Sequence, residues 1–314
     1  MLKYLGKRLA RSFITLLIIL TIVFVLMRQM PIEGYFPNFD KMTNEQIQNG
    51  LALMGMDQPM PVQVLNFFKN LFLHGDLGTS RIYRNNVPVT EILAPKIPVS
   101  IQLGSMALIV ALVVGIPMGT LMAKYKGRLF DHIGTAFIVF IQAVPAAVYY
   151  LFIQLYGTEL LGISLIFDEE NWVSWVLPVF SMSLGNIAYY AMWLRRYMVD
   201  EMNKDYVRLA RAKGVPEKKM MMRHVFRNAF VPMIQYIPSS ILYTIGGSIY
   251  VESLYSIPGM GGLLVDVIGR QDNPMVQAIV IIYSCIGIVG LLLGDILMGV
   301  LDPRISFAKK EGAR

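Results

Sequence analysis

The chain has 314 residues, of which 55% are hydrophobic and 16% charged, and its mean hydropathy is +0.53. That balance excludes an ordinary soluble domain, where about a quarter of residues carry charge. The single cysteine, Cys285, excludes an intrachain disulfide, and without cysteine pairs or clustered histidines a structural zinc site is not expected.

Six intervals contain no Asp, Glu, Lys or Arg: 12–27, 97–123, 132–158, 171–194, 228–251 and 273–294. A hydrocarbon core of about 30 Å takes about 20 helical residues. Five intervals reach that length, and Arg11 and Arg28 can snorkel from the ends of the shorter first one. The sequence therefore predicts an all-α polytopic membrane protein with six transmembrane helices. It divides into three regions: a tail and first span (1–30), an outer region (31–98), and a core of five spans (99–314) carrying a basic loop at about 195–230.

The first span comes after Lys3, Lys7, Arg8 and Arg11, as a signal peptide would. Arg28-Gln-Met-Pro31 offers no small-x-small cleavage site, so an uncleaved span is expected. Of the 28 Lys and Arg residues, 21 fall in the N-terminal tail, the 124–131 loop, the 195–227 loop and the C-terminal tail. The positive-inside rule then places both termini and the basic loop in the cytoplasm. The net charge of +7 is a topology signal, and no nucleic-acid partner is needed to explain it.

The outer segment is too long for a bare connector. Val64, Leu65, Phe68, Leu71 and Phe72 recur at helical spacing, predicting an amphipathic helix that packs as a lid on the spans or meets an external partner. Residues 75–81 read as a tight turn in which Asp76 bonds its own backbone and Gly75 and Gly78 take positive φ. Breakers recur in the spans: Gly115, Pro117, Pro145, Pro178 and Pro238. So do polar side chains, which either glue helices together or line a path. Gln142, Asn186 and Gln235 are the path candidates, with Glu252, just beyond the fifth span, as the acid expected to face a pathway opening. A short re-entrant or interfacial helix is expected at Leu263–Ile268.

Ten of the 28 Lys and Arg residues lie between Arg195 and Arg227, around Tyr206-Val-Arg-Leu-Ala-Arg-Ala-Lys-Gly214-Val-Pro-Glu217. Asp205 is expected to cap a helix from Tyr206 to Lys213, Gly214 to end it, and Pro216 to open a second helix. The result is a compact knob whose apolar residues enter a groove while Arg208, Arg211 and Lys213 pair with acidic groups. A solvated positive-inside loop is the plainer alternative. Small residues Ala210 and Ala212 before the glycine, the helix–elbow–helix layout and the loop's size favour the knob.

The phrase resembles the EAA loop of inner-membrane subunits of binding-protein-dependent ABC importers. Ala210 and Gly214 match that motif, whereas Arg208 stands at its Glu and Leu209 at its first Ala. Arg223-His224 and Arg227-Asn228-Ala229 are closer to the peptide-importer branch. The stretch Gly75 to Ser80 with Pro88 and Pro98 is similar to the outer loop of the B-type oligopeptide/dipeptide permease subunit, and Asp295 with Leu301-Asp-Pro-Arg-Ile305 to its C-terminal signature. The resemblance implies a type I ABC importer permease fold in the bacterial inner membrane. It also implies a second homologous permease subunit, two ATPase subunits, an external solute-binding protein and a peptide substrate. Tyr206, Arg208, Ala210, Arg211, Ala212, Lys213, Gly214, Val215, Pro216 and Glu217 would dock on the ATPase. No Gly-x-x-x-x-Gly-Lys-Ser/Thr phosphate loop occurs, so the chain is not expected to be an enzyme, and ATP and Mg would be bound by partners. A nickel or metal-chelate importer and a stand-alone ion-coupled transporter are the alternatives. The acids all lie outside the six intervals, which weighs against the latter.

Overall fold

The computed structural model describes residues 2–245 and 249–301. Among them the regular structure is helical apart from an isolated bridge between Thr79 and Pro88. The Gln235 side chain and the C-terminal stretch from Asp302 lie outside the described residues, as does the Asp295 side chain.

Helix α1 (Leu2–Arg28) is peripheral. Leu9, Phe13, Ile18, Ile22 and Leu26 form an exposed stripe along it, while Leu20 and Phe24 face inward, the pattern of a helix with lipid on one side. The outer region supplies α2 (Asn44–Leu53), α3 (Met60–His74) and α4 (Val89–Leu93). Thr43 and Gln46 close a capping box at the start of α2. The amphipathic helix expected in this region is α3, and it packs along α1: Phe67 stacks on Phe24 with centroids 4.8 Å apart, and Phe72 meets Phe13 at 6.3 Å. Gly75 ends α3 at φ +63, and Gly78 N donates to Asp76 Oδ1 at 2.8 Å, the turn expected from the sequence.

Helix α5 (Lys96–Lys124) runs unbroken through Pro117. The third charge-free interval does not form one straight helix. It divides into α6 (Leu129–Ala143) and α7 (Ala146–Leu161), bent by 106°. Pro145 disfavours helical backbone at the residue before it, and Val144 is extended at φ −87, ψ 129. After α8 (Val176–Met202) come α9 (Asp205–Ala212), α10 (Glu217–Met220), α11 (Arg227–Ile245), α12 (Ile249–Leu254), α13 (Met260–Gly269) and α14 (Asn273–Leu301). The short helix expected at Leu263–Ile268 is the body of α13.

Three stretches are long and apolar enough to cross a membrane, Gly6–Arg28, Val89–Lys124 and Asn273–Gly294, and the bent pair α6–α7 adds a fourth. Helices α8 and α11 cover the two remaining intervals but are more polar. The reason is visible in the packing of α8, which is surrounded by α5, α6, α7 and α11. Ser181, Ser183 and Tyr190 on it are buried against protein, so α8 needs no lipid-facing apolar coat.

The α5–α8 contact is the most extensive in the molecule. Gly115 does not act as the helix breaker its sequence context suggests; with Gly119 it is the surface on which the two helices meet. A Cβ on Gly119 would lie 2.6 Å from Ala191 O, so the two backbones touch, as in small-xxx-small packing. Tyr190, Leu194 and Met198 of α8 join Val207, Met220, Val225 and Ala229 in one buried cluster, which carries the membrane core into the basic loop.

Candidate functional site

The basic loop folds as a knob with its own core. Val207, Met220 and Val225 are fully buried and pack with Met198. Each such side chain contributes about 1.5–3 kcal/mol on burial, so the loop is anchored and the solvated-loop alternative does not hold. Its end is a Schellman cap: Val215 N donates to Ala210 O at 3.1 Å and Gly214 N to Arg211 O at 2.9 Å. Gly214 lies at φ +73, as the cap requires.

Two local details differ from expectation. Asp205 is the first residue of α9 and does not cap it. Lys204 occupies the cap position without a side-chain bond, and Asp205 pairs with exposed Arg208 at 3.3 Å, a contact contributing at most about 1 kcal/mol. Pro216 stands one residue before the helix, at φ −54 and ψ 138, so Glu217 is the first helical position.

From Glu217 the chain stays helical without a break. Helix α10 passes into a π-helical turn, Met221–Phe226, and that turn into α11. A π turn holds a helical residue more than the α repeat and rotates the helix beyond it. The knob is thereby joined rigidly to the helix over the fifth charge-free interval. The Tyr206 hydroxyl ties the pieces together: it donates to Glu201 Oε2 at 2.6 Å and accepts from Asn228 Nδ2 at 3.1 Å. One side chain thus links the end of α8, the knob helix and the start of α11.

What remains outside is a mixed surface. Arg208, Leu209, Arg211, Ala212, Lys213, Gly214, Pro216 and Glu217 are exposed, with Ala210, Val215 and Tyr206 half-buried beneath them. Leu209 is 56% exposed among its basic neighbours, an apolar tip with a charged rim. Arg195 of α8 grips buried Asp131 of α6 through one edge of its guanidinium, Nη2 to Oδ2 at 2.8 Å and Nε to Oδ1. Gly127 N also donates to that carboxylate at 2.8 Å. In the sequence Arg195 stands only as the first residue of the basic stretch.

The path candidates scatter. Gln142 is exposed on α6, its Nε2 3.4 Å from Met192 Sδ, and Asn186 is half-buried on α8. Gln154 behaves as glue, donating to Leu254 O at 2.8 Å. Asn186 stands above a stripe missed in the sequence: Tyr189, Trp193 and Tyr197 come next at helical spacing with rings 6.3 and 5.7 Å apart, and Tyr236 of α11 meets Tyr189 at 5.7 Å. Their three- and four-residue spacing was the available signal.

Glu252 does not face an opening; it is fully buried. It accepts from Ser100 Oγ at 2.9 Å and from Gly261 N at 2.6 Å and Gly262 N at 3.2 Å. The glycine-rich start of α13 presents orphan amides, and the carboxylate satisfies two of them. A second clamp of this kind is not foreseen in the sequence. Asp272 is fully buried and accepts from Ser80 Oγ at 2.6 Å and from the amides of Ile82 and Tyr83 at 2.9 Å each. Its Oδ1 also caps α14 through Met275 N at 3.3 Å. An acid before Asn273-Pro274 at a helix start was the signal.

The molecule therefore has two differently built ends joined by long helices: clamped outer loops at one, a helical basic knob at the other. That arrangement defines a polytopic membrane-embedded protein. The profile described as binding-protein-dependent transport system inner membrane component matches residues 115–307, and the profile for the N-terminal part of such components matches residues 1–104. The chain belongs to this family of multi-pass inner-membrane permeases. It is 36% identical to the dipeptide transport system permease protein DppB of Lactococcus lactis subsp. cremoris, over 97% of this chain and 99% of that one. It is 32% identical to the oligopeptide transport system permease protein AppB of Bacillus subtilis, over 97% and 99%. Among solved structures, an inward-facing MetNI methionine ABC transporter chain superposes with a TM-score of 0.56 at 13% identity, over 68% of this chain and 97% of that one, a likeness of fold.

Proposed function

We propose that this chain is one of two permease subunits of an ATP-driven importer of oligopeptides or dipeptides, with a type I fold of six spans and both termini cytoplasmic. Separate ATPase subunits bind ATP and Mg, dock on the exposed face of the knob from Arg208 to Glu217, and push it when they close. An external solute-binding protein delivers the peptide to the clamped end. The observation that carries this reading is the knob's construction: a capped helix with a private core and an exposed basic and apolar face, continuous through a π turn with α11. A device of that kind transmits a push to the membrane, where a loose loop would absorb it.

The peptide substrate is supported by the named functions of the relatives above, and no comparable observation favours a metal chelate or a stand-alone transporter. Asn186, the aromatic stripe of α8 and Gln142 are the proposed path-lining groups.

Pull-down of the chain from its native membrane in mild detergent, with mass spectrometry of the co-purifying proteins, tests the proposal. A second permease subunit, ATPases with phosphate-binding loops and a solute-binding lipoprotein are expected. Recovery of a stable, monodisperse chain alone would reject it.

A further inference from the structure

The end of α1 opposite the N-terminus borders a cavity of about 320 Å³, walled by Phe24 and Arg28 of α1, Gln63 and Phe67 of α3, Asp76 of the turn after α3 and Gln277 of α14. Two polar groups at this cavity are buried without a hydrogen-bond partner. One is Nε and Nη1 of the Arg28 guanidinium, the other Gln63 Oε1. Gln63 is 8% exposed, and its Nε2 is committed to Met56 O at 3.1 Å and Gln58 O at 2.7 Å, so the amide is fixed with its acceptor to spare. The Arg28 guanidinium lies over the rings of Phe24 and Tyr35, 5.0 and 5.5 Å from their centroids. Two aromatic rings thus flank it, and two of its nitrogens are left without a partner. The ion pairs among the described residues do not include it, and Asp76 spends Oδ1 on Gly78 N.

Buried guanidinium nitrogens without an acceptor are strongly unfavourable. Two observations name the chemistry that would complete it. Arg28 is the last residue of the Gly6–Arg28 span, the level at which phosphate groups lie in a bilayer. Away from the cavity, Phe24, Phe67, Phe68, Phe72 and Phe13 form a continuous aromatic ridge down α1 and α3. Phe13 and Phe72 are 51% and 53% exposed along it, an apolar track leading into the membrane from the polar cavity.

We propose that this cavity holds the headgroup of a phospholipid in the leaflet opposite the N-terminus, with Arg28 taking phosphate oxygens and Gln63 Oε1 accepting from a headgroup hydroxyl or ammonium. The guanidinium fork fits phosphate oxygens two at a time. Acyl chains lie on the aromatic ridge. The lipid fastens α3 to the peripheral α1, independently of what the protein transports.

Native mass spectrometry of the detergent-purified full chain tests this by titration with phosphatidylglycerol, phosphatidylethanolamine, a diacylglycerol of the same chains, and inorganic phosphate. Both phospholipids are expected to bind, and the diacylglycerol to bind far more weakly. Arg28→Gln should weaken phospholipid binding about 10- to 100-fold, Arg28→Lys less, and Gln63→Leu about threefold or more. Circular dichroism checks that each variant is folded, and Gln63→Leu carries the test if Arg28→Gln is not. Equal binding of diacylglycerol, or unchanged phospholipid binding in the folded variants, would overturn the proposal. So would tight binding of inorganic phosphate with no bound phospholipid, which would mark a free-anion site.

Discussion

At the residue scale, the polar atoms with the greatest structural reach are carboxylates used as clamps. Asp272 collects a hydroxyl and several amides from a turn far away in sequence while also capping its own helix. An Asn at this position would present an NH₂ group to donors on one side. Asp272→Asn should therefore cost about 1.5–3 kcal/mol, read as a lowered midpoint of thermal unfolding in detergent. A midpoint equal to wild type would show that the turn is held by other contacts. The neighbouring clamp explains why sequence alone misplaces Glu252. An acid next to a span looks like a pathway group, because nothing in one dimension shows that Gly261 and Gly262 bring two unpaired amides to it.

At the scale of elements, the knob makes two expectations sharp. Gly214 at φ +73 has open space around it, so substitution there acts through backbone strain alone. A β-branched residue resists that conformation, while Asn tolerates it. Gly214→Val should leave membrane insertion intact and abolish most peptide uptake, whereas Gly214→Asn keeps most of it. Uptake at the wild-type rate in Gly214→Val would mean that the cap does not transmit force. The π turn offers an independent handle. Deleting exposed Met222 would replace the π turn by α-helix and change how the knob is seated on α11. We expect the deleted chain to be present in the membrane yet unable to support substrate-stimulated ATP hydrolysis; intact stimulation would show that knob orientation is not critical. The helix–elbow–helix plan was legible because its signals are local: a basic amphipathic turn, Gly214, Pro216. The π turn was not: it holds Met221 and Val225 buried in a cluster with residues of α8 and leaves no mark on composition.

At the scale of the whole molecule, charge-free intervals locate the helices well and describe their shapes poorly. Pro145 is visible as a breaker, but the 106° bend depends on how α6 and α7 pack on α8. The polar composition of α8 makes sense only once it is seen to be enclosed. Topology can be checked directly. In a Cys285→Ala background, Asp57→Cys should react with a membrane-impermeant maleimide in intact cells, and Lys218→Cys only after permeabilisation. Labelling of both in intact cells, or the reverse order, would refute the cytoplasmic placement of the knob.

The Ser80–Asp272 bond joins residues 192 positions apart. A ribosome adding 5–20 residues per second needs about 10–40 s to cover that distance. Throughout that interval the turn after the first span exists without the acid that will hold it. Its amides stay bonded to water, and α3 has only α1 to lean on. The latch closes when the last span enters, so its closure reports that the whole bundle has been assembled. Chains that stall before α14 would carry an unlatched outer loop, open to surface proteases and recognisable as unfinished.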